Sequence, residues 1–239
     1  MSNPIALVTG ADKGIGKHIA IQLVAAGVSV YLGSRDADRG QRAVDEIGNG
    51  ATLLVLDVTD GDSIAEAVTQ VPALDILVNN AGISLDIGSA PGDTDFEIFR
   101  RTYQTNVFGV VAVTNAFLPL LRRSTGPRIV NISSGTASLA WSIGPNSQLQ
   151  VASGAGAAYR SSKAALNALT VCYALDLADA GAKVNALAPG LRATDLNTIA
   201  AQRGGDPAEA AAGAVRLALL PADGPTGGFF SWDGTPVPW

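Results

Sequence analysis

Thr9-Gly10-Ala11-Asp12-Lys13-Gly14-Ile15-Gly16 leaves a short apolar run, residues 5–9, and enters a segment of helical period, residues 16–26. Its three glycines permit a tight turn, close approach of backbone to a pyrophosphate and close packing of helix on strand, and the helix N-terminus favours an anion. Glycine-rich turns are common and most merely reverse the chain. The position directly after a first strand is what makes this one a candidate dinucleotide loop.

Outward from the loop the same alternation repeats. Short apolar runs at 28–32, 52–56, 74–78, 128–132 and 183–187 are separated by helical segments at 38–47, 63–71, about 95–121 and about 158–180. A last helix begins at Asp206-Pro207-Ala208-Glu209, where Asp can cap, Pro suits the first helical position and Glu can close the box, and a strand at 228–232 follows. Apolar runs without polar alternation suit a parallel sheet covered on both sides. The expected fold is α/β, a doubly wound parallel sheet of about seven strands with helices on both faces. Nothing marks a second domain, so residues 1–239 are read as one. The polar, Gly-rich segments 135–156 and 191–205 are read as long loops and candidate substrate loops.

Composition narrows the function. Hydrophobic residues make up 47% and charged residues 15% of the chain, which points to a large core. A net charge of −5 argues against a nucleic-acid surface. One cysteine, Cys172, allows no internal disulfide and suits the cytoplasm. Residues 1–8 lack the features of an export signal, and the apolar stretch 110–121 is interrupted by Thr114, Asn115 and Pro119, so no membrane span is expected. The single histidine, His18, falls in the first helix, and no carboxylates have ligand-like spacing, so no metal is expected.

Nineteen residues beyond Gly16 the second strand ends in Ser34-Arg35. An acid there would bind ribose hydroxyls, as NAD requires, whereas Arg can pair with the extra phosphate of NADP. Arg35 and Lys13 are therefore assigned to NADP(H), and Lys17, Arg39 and Arg42 to a solvated helix face. Farther along, Tyr159 and Lys163 stand four residues apart at the start of a helix, which places phenol and ammonium on one face. A nearby cation is what lets a phenol exchange its proton near neutrality. Asn131-Ile132-Ser133-Ser134 ends the fifth strand at the carboxyl edge, where open sheets bind ligands.

Taken in order, Thr9–Gly16, Asn79-Asn80-Ala81-Gly82, Asn106, Ser134, Tyr159 with Lys163, and Pro189-Gly190 resemble the short-chain dehydrogenase/reductase family over nearly the whole chain. The stretches 13–16, 35–40 and 223–230 resemble its carbonyl reductase branch. The resemblance implies a Rossmann fold and reduction of a small, hydrophobic carbonyl substrate by NADPH. It implies that Ser134 orients the carbonyl, Tyr159 protonates its oxygen, Lys163 binds the nicotinamide ribose and Asn106 holds a proton-relaying water. It further implies cofactor contacts at Gly10, Lys13, Gly14, Ile15, Gly16, Ser34, Arg35, Asp57, Val58, Asn80, Ala81, Gly82, Pro189, Gly190 and Thr194, and places Asn79 at the cleft.

Ser134 and Tyr159 are 25 residues apart, about twice the spacing common in the family, so 135–156 reads as an insert. In the carbonyl reductases that this chain resembles, an insert at this place covers the helical face used for dimers, and this one is shorter than theirs, which leaves monomer or dimer as the expected state. Leu139, Trp141 and Leu149 in it either line a hydrophobic pocket or seal against the helices. Two rivals remain. An NADP-binding regulator without turnover could dispense with Ser134, Tyr159 or Lys163. An NAD-dependent alcohol dehydrogenase is opposed by Arg35.

Overall fold

Each apolar run becomes a strand because its successive side chains enter two different cores. The computed structural model describes residues 3–143 and 154–239. β1, Ile5–Val8, leads into α1, Gly14–Ala25; β2, Ser29–Ser34, into α2, Ala37–Ile47; and β3, Ala51–Val55, into α3, Gly61–Thr69. β4, Ile76–Asn79, precedes α4, Phe96–Tyr103, and α5, Gly109–Leu121, which a π-helical turn, Gln104–Phe108, joins into one rod. β5, Arg128–Ile132, precedes the short α6, Leu139–Ser142, and the long α7, Ala157–Asp176. β6, Lys183–Ala188, precedes α8, Thr198–Arg203, and α9, Pro207–Ala218, and β7, Phe229–Ser231, completes the sheet.

The seven strands are all parallel in the order β3-β2-β1-β4-β5-β6-β7. Ala6, Val8, Ile76, Val78 and Val130 face α1, α2 and α9, where Ile19, Leu23 and Leu217 meet them. Their neighbours Leu7, Leu77 and Ile129 face α3, α5 and α7, packing on Ile64, Phe117 and Leu177. Burial on both faces explains why no polar alternation marks these strands. The strand order reverses between β1 and β4, and a crevice opens there at the carboxyl edge.

Three details depart from the sequence reading. The rod from Phe96 to Leu121 is not uniform α-helix, since its π turn carries Asn106. Its 26 residues are long and apolar enough to cross a membrane by length and composition, yet half of the most apolar window is buried in the protein, as in a core helix. The segment 191–205 is not all loop: Asn197 accepts a hydrogen bond from the Ala200 amide and starts α8. At α9 Asp206 caps and Pro207 occupies the first turn, but Glu209 does not close the box and instead pairs with Arg192. The part of the insert at 144–153, including Leu149, lies outside the described residues.

Candidate active site

The glycine loop supplies open backbone donors. Lys13 occupies the position before α1 and gives it no side-chain cap, and the first turn holds no acid, so the leading N–H groups are left for a ligand anion. Gly14 has φ +55°, a left-handed conformation that favours glycine. A Cβ on Gly16 would lie 2.4 Å from the Asn80 amide nitrogen and 2.6 Å from the Gly10 carbonyl. Asn80 explains that crowding: its side-chain amide donates to the carbonyls of Thr9 and Gly10, while Thr9 Oγ1 accepts from the amides of Asn80 and Ala81. The end of β4 is thereby stitched to the glycine loop.

A cleft of about 420 Å³ runs from this loop across the carboxyl edge. Gly10, Lys13, Gly14, Ile15, Gly16, Arg35, Asp57, Val58, Asn80, Ala81, Gly82, Tyr159, Lys163, Pro189 and Thr194 all line it. Asp57 also holds the amide and hydroxyl of Thr59. Three residues expected at the cleft do not line it, and one is Asn79, buried with its side-chain amide donating to Thr114 and Asn131. Ser34 is buried, its hydroxyl donating to the Asp36 carbonyl and accepting from the Asp36 amide. Gly190, at φ +71°, packs against Trp232 and Arg192 instead.

Among the described residues Arg35 forms no ion pair, and it is exposed. Arg39, assigned from sequence to a solvated face, lines the cleft too, paired with Asp12 at 3.0 Å and Asp36 at 3.4 Å. The signal for it was its place in the first turn of α2, four residues after Arg35. Lys17 does take the surface role, pairing with Glu46. Lys13 reaches across the mouth to Asp195 at 3.1 Å, an exposed pair of small energetic weight.

The far end of the cleft holds the chemistry. Lys163 is buried and donates to the Ile132 carbonyl at 2.8 Å, and its ammonium lies 5.9 Å from the centroid of the Tyr159 ring. Burial holds the Lys163 ammonium down at about 8. Burial pushes the Tyr159 phenol up, and hydrogen bonding with Ser134 pulls the other way. The two serines diverge. Ser133 borders the cleft but its hydroxyl is spent on Asn167 Oδ1 at 2.6 Å, whereas Ser134, which does not line the cleft, shares a 2.9 Å hydrogen bond with Thr136 and is hydrogen-bonded to Tyr159. Asn106 sits behind the cleft; its Oδ1 accepts from the Ile83 amide, and its Nδ2 donates to the Ile83 carbonyl and to Ser162. Leu85, Thr105 and Leu196 also line the cleft, and no motif singled them out. Trp141 packs beside Ala186, Ala188 and Phe229, which favours sealing, while Leu139 is exposed.

A doubly wound sheet whose glycine loop opens on a cleft ending at a paired tyrosine and lysine defines a nucleotide-dependent oxidoreductase. The chain belongs to the short-chain dehydrogenase/reductase family, whose model, described as short chain dehydrogenase, matches residues 4–203. Salutaridine reductase of Papaver bracteatum is 32% identical, the match covering 94% of this chain and 93% of that protein. The NADPH-bound carbonyl reductase from chicken fatty liver has a TM-score of 0.82 at 27% identity over the full length of both chains. A 3-ketoacyl-(acyl-carrier-protein) reductase from Brucella melitensis, complexed with NADH, gives the same TM-score at 26% identity, covering 95% and 96%. Similarity of fold thus accompanies both cofactors.

Proposed function

We propose that this protein reduces a ketone or aldehyde to an alcohol with NADPH, Tyr159 supplying the proton. The carrying observation is that Tyr159 and Lys163 line one end of the cleft that starts at the glycine loop, with Ser134, itself outside the lining, hydrogen-bonded to Tyr159. The residues present fit the nucleotide: uncapped amides at α1, a loop whose glycines admit no side chain, and Arg35, Arg39 and Lys13 where an extra phosphate would need positive charge. The bound nicotinamide supplies hydride at C4.

The chain's own residues do the rest. Ser134 orients the carbonyl by donating a hydrogen bond to its oxygen. Tyr159 then gives its phenolic proton to that oxygen as negative charge develops there. Lys163 lowers the cost of the resulting phenolate by presenting a cation in a site of low dielectric. Asn106 holds the Ile83 segment and Ser162, and so supports the end of α7 from behind. Ile83, Leu85 and Leu196 in the lining favour an uncharged, apolar substrate, and the protein is taken to act in the cytoplasm as a monomer or dimer. Loss of NADPH absorbance across a panel of ketones and aldehydes tests the reading; binding of NADPH without turnover of any of them would count against it.

A further inference from the structure

The helix carrying Tyr159 and Lys163 is not capped by its own sequence. Gly156 precedes α7 at φ +79° and has no side chain to offer. The acceptors come from 72 residues away: Asp86 Oδ2 accepts from the Ala158 amide at 2.7 Å, and Oδ1 accepts from the amide of Tyr159 itself at 3.3 Å. Asp86 is fully buried, and among the described residues it forms no ion pair. Its compensation is the N-terminal end of α7, where free N–H groups and the helix dipole favour a negative group.

The segment bearing Asp86 has its other end in the cofactor cleft. Asn80 and Ala81 are tied to the glycine loop through Thr9 and Gly10. Asn106 grips both the amide and the carbonyl of Ile83. Past Asp86 the chain closes a turn, Ser89 donating to the Asp86 carbonyl and Gly156 donating to the Ser89 carbonyl. One segment, 80–89, is thus fastened to the phosphate loop at one end and to the backbone of Tyr159 at the other.

We propose that Asp86 is a positioning residue, one that sets the phenol of Tyr159 relative to the cofactor side of the cleft; this rests on the reductase reading given above. A capping serine or aspartate in α7's own leading segment would satisfy the same amides but would not refer the helix to the phosphate loop. Small misplacement of a proton donor costs rate rather than binding, because reacting atoms must sit within a few tenths of an ångström of productive geometry.

The experiment measures kcat, carbonyl KM, the NADPH dissociation constant and the melting temperature for wild type, Asp86→Asn, Asp86→Ala and Tyr159→Phe. Asp86→Asn keeps one carbonyl acceptor, so kcat is expected to fall about tenfold, and about a hundredfold in Asp86→Ala, with KM and NADPH affinity within about twofold of wild type. If Asp86→Ala does not fold, Asp86→Asn carries the test. An Asp86→Asn enzyme with wild-type kcat and only a lower melting temperature, alongside inactive Tyr159→Phe, overturns the inference alone. A wild type that turns over no carbonyl overturns the reductase reading and this inference with it.

Discussion

The Lys163 ammonium lies 5.9 Å from the centre of the Tyr159 ring, one helical turn along α7, with its proton held by the Ile132 carbonyl. This geometry puts the cation where a phenolate would form. Replacing Tyr159 with Phe keeps the ring and removes the transferable proton, so turnover should fall by about 100- to 10,000-fold while NADPH binding persists. Single-turnover reduction and cofactor fluorescence check the two halves separately. Near-normal turnover in a folded Tyr159→Phe enzyme removes Tyr159 from the reaction.

Lys163 is kept at a cost. Its folded-state pKa is about 8 against an ordinary 10.5, so below pH 8 the folded protein carries a desolvated ammonium. At about 1.36 kcal/mol per unit this penalty is on the order of 3 kcal/mol. Lys163→Met should therefore stabilise the cofactor-free protein at pH 7, by on the order of 1–3 kcal/mol once the lost bond to Ile132 is counted, while abolishing most activity. Between pH 8 and 10.5 the unfolded wild type binds more protons than the folded, so wild-type stability rises with pH and the gap to the variant narrows. Denaturant titrations at pH 7 and pH 10 measure both. A variant less stable than wild type at each pH contradicts the argument.

The alternation of strand and helix was legible in the sequence because the central strands spend their apolar side chains on two cores and the helices that cover them, such as α1 and α5, each on one. The glycine loop, Arg35, Tyr159 and Lys163 were legible because their chemistry is local in sequence. What escaped was set by partners far along the chain. Nothing in Gln104–Phe108 signals the π turn that aims Asn106 at Ile83, and Asp86 reads as an ordinary loop acid until α7 arrives above it. Ser34 was assigned to the cofactor by position, but its hydroxyl is satisfied by its own turn. In α8 a signal did exist: Asn197 three residues before Ala200, with Gly204 beyond the end.

Ser133 and Ser134 separate structure from chemistry at adjacent positions. Ser133→Ala leaves the buried Asn167 Oδ1 without its donor and should lower stability by about 1–3 kcal/mol with little change in kcat. Ser134→Ala removes the hydroxyl beside Tyr159 and should lower kcat on the order of a hundredfold with little change in stability. Steady-state kinetics and melting curves of both variants decide it. The opposite pattern would mean that Ser133 meets the carbonyl.

Arg35 decides between the two nucleotides. It lines the cleft at the end of β2 and has no carboxylate partner among the described residues, whereas Arg39 beside it is shared with Asp12 and Asp36. A free guanidinium can engage a phosphate bidentately, each charge-assisted bond contributing about 1.5–3 kcal/mol. Exposure screens part of this, so losing Arg35 should change the preference for NADPH over NADH by about tenfold to a hundredfold, equivalent to about 1.4–2.8 kcal/mol. Arg35→Asp goes further, because the new carboxylate repels the phosphate and accepts from ribose hydroxyls, so that attraction and repulsion both turn toward NADH. Arg39 and Lys13 remain in that variant and keep some affinity for the phosphate, which is why Arg35→Asp with Arg39→Ala should shift the ratio more than either change alone. The measurement is kcat/KM for both nucleotides at fixed ionic strength. A wild type that prefers NADH, or a ratio unmoved by Arg35→Asp, would place Arg35 among the surface residues that only meet solvent.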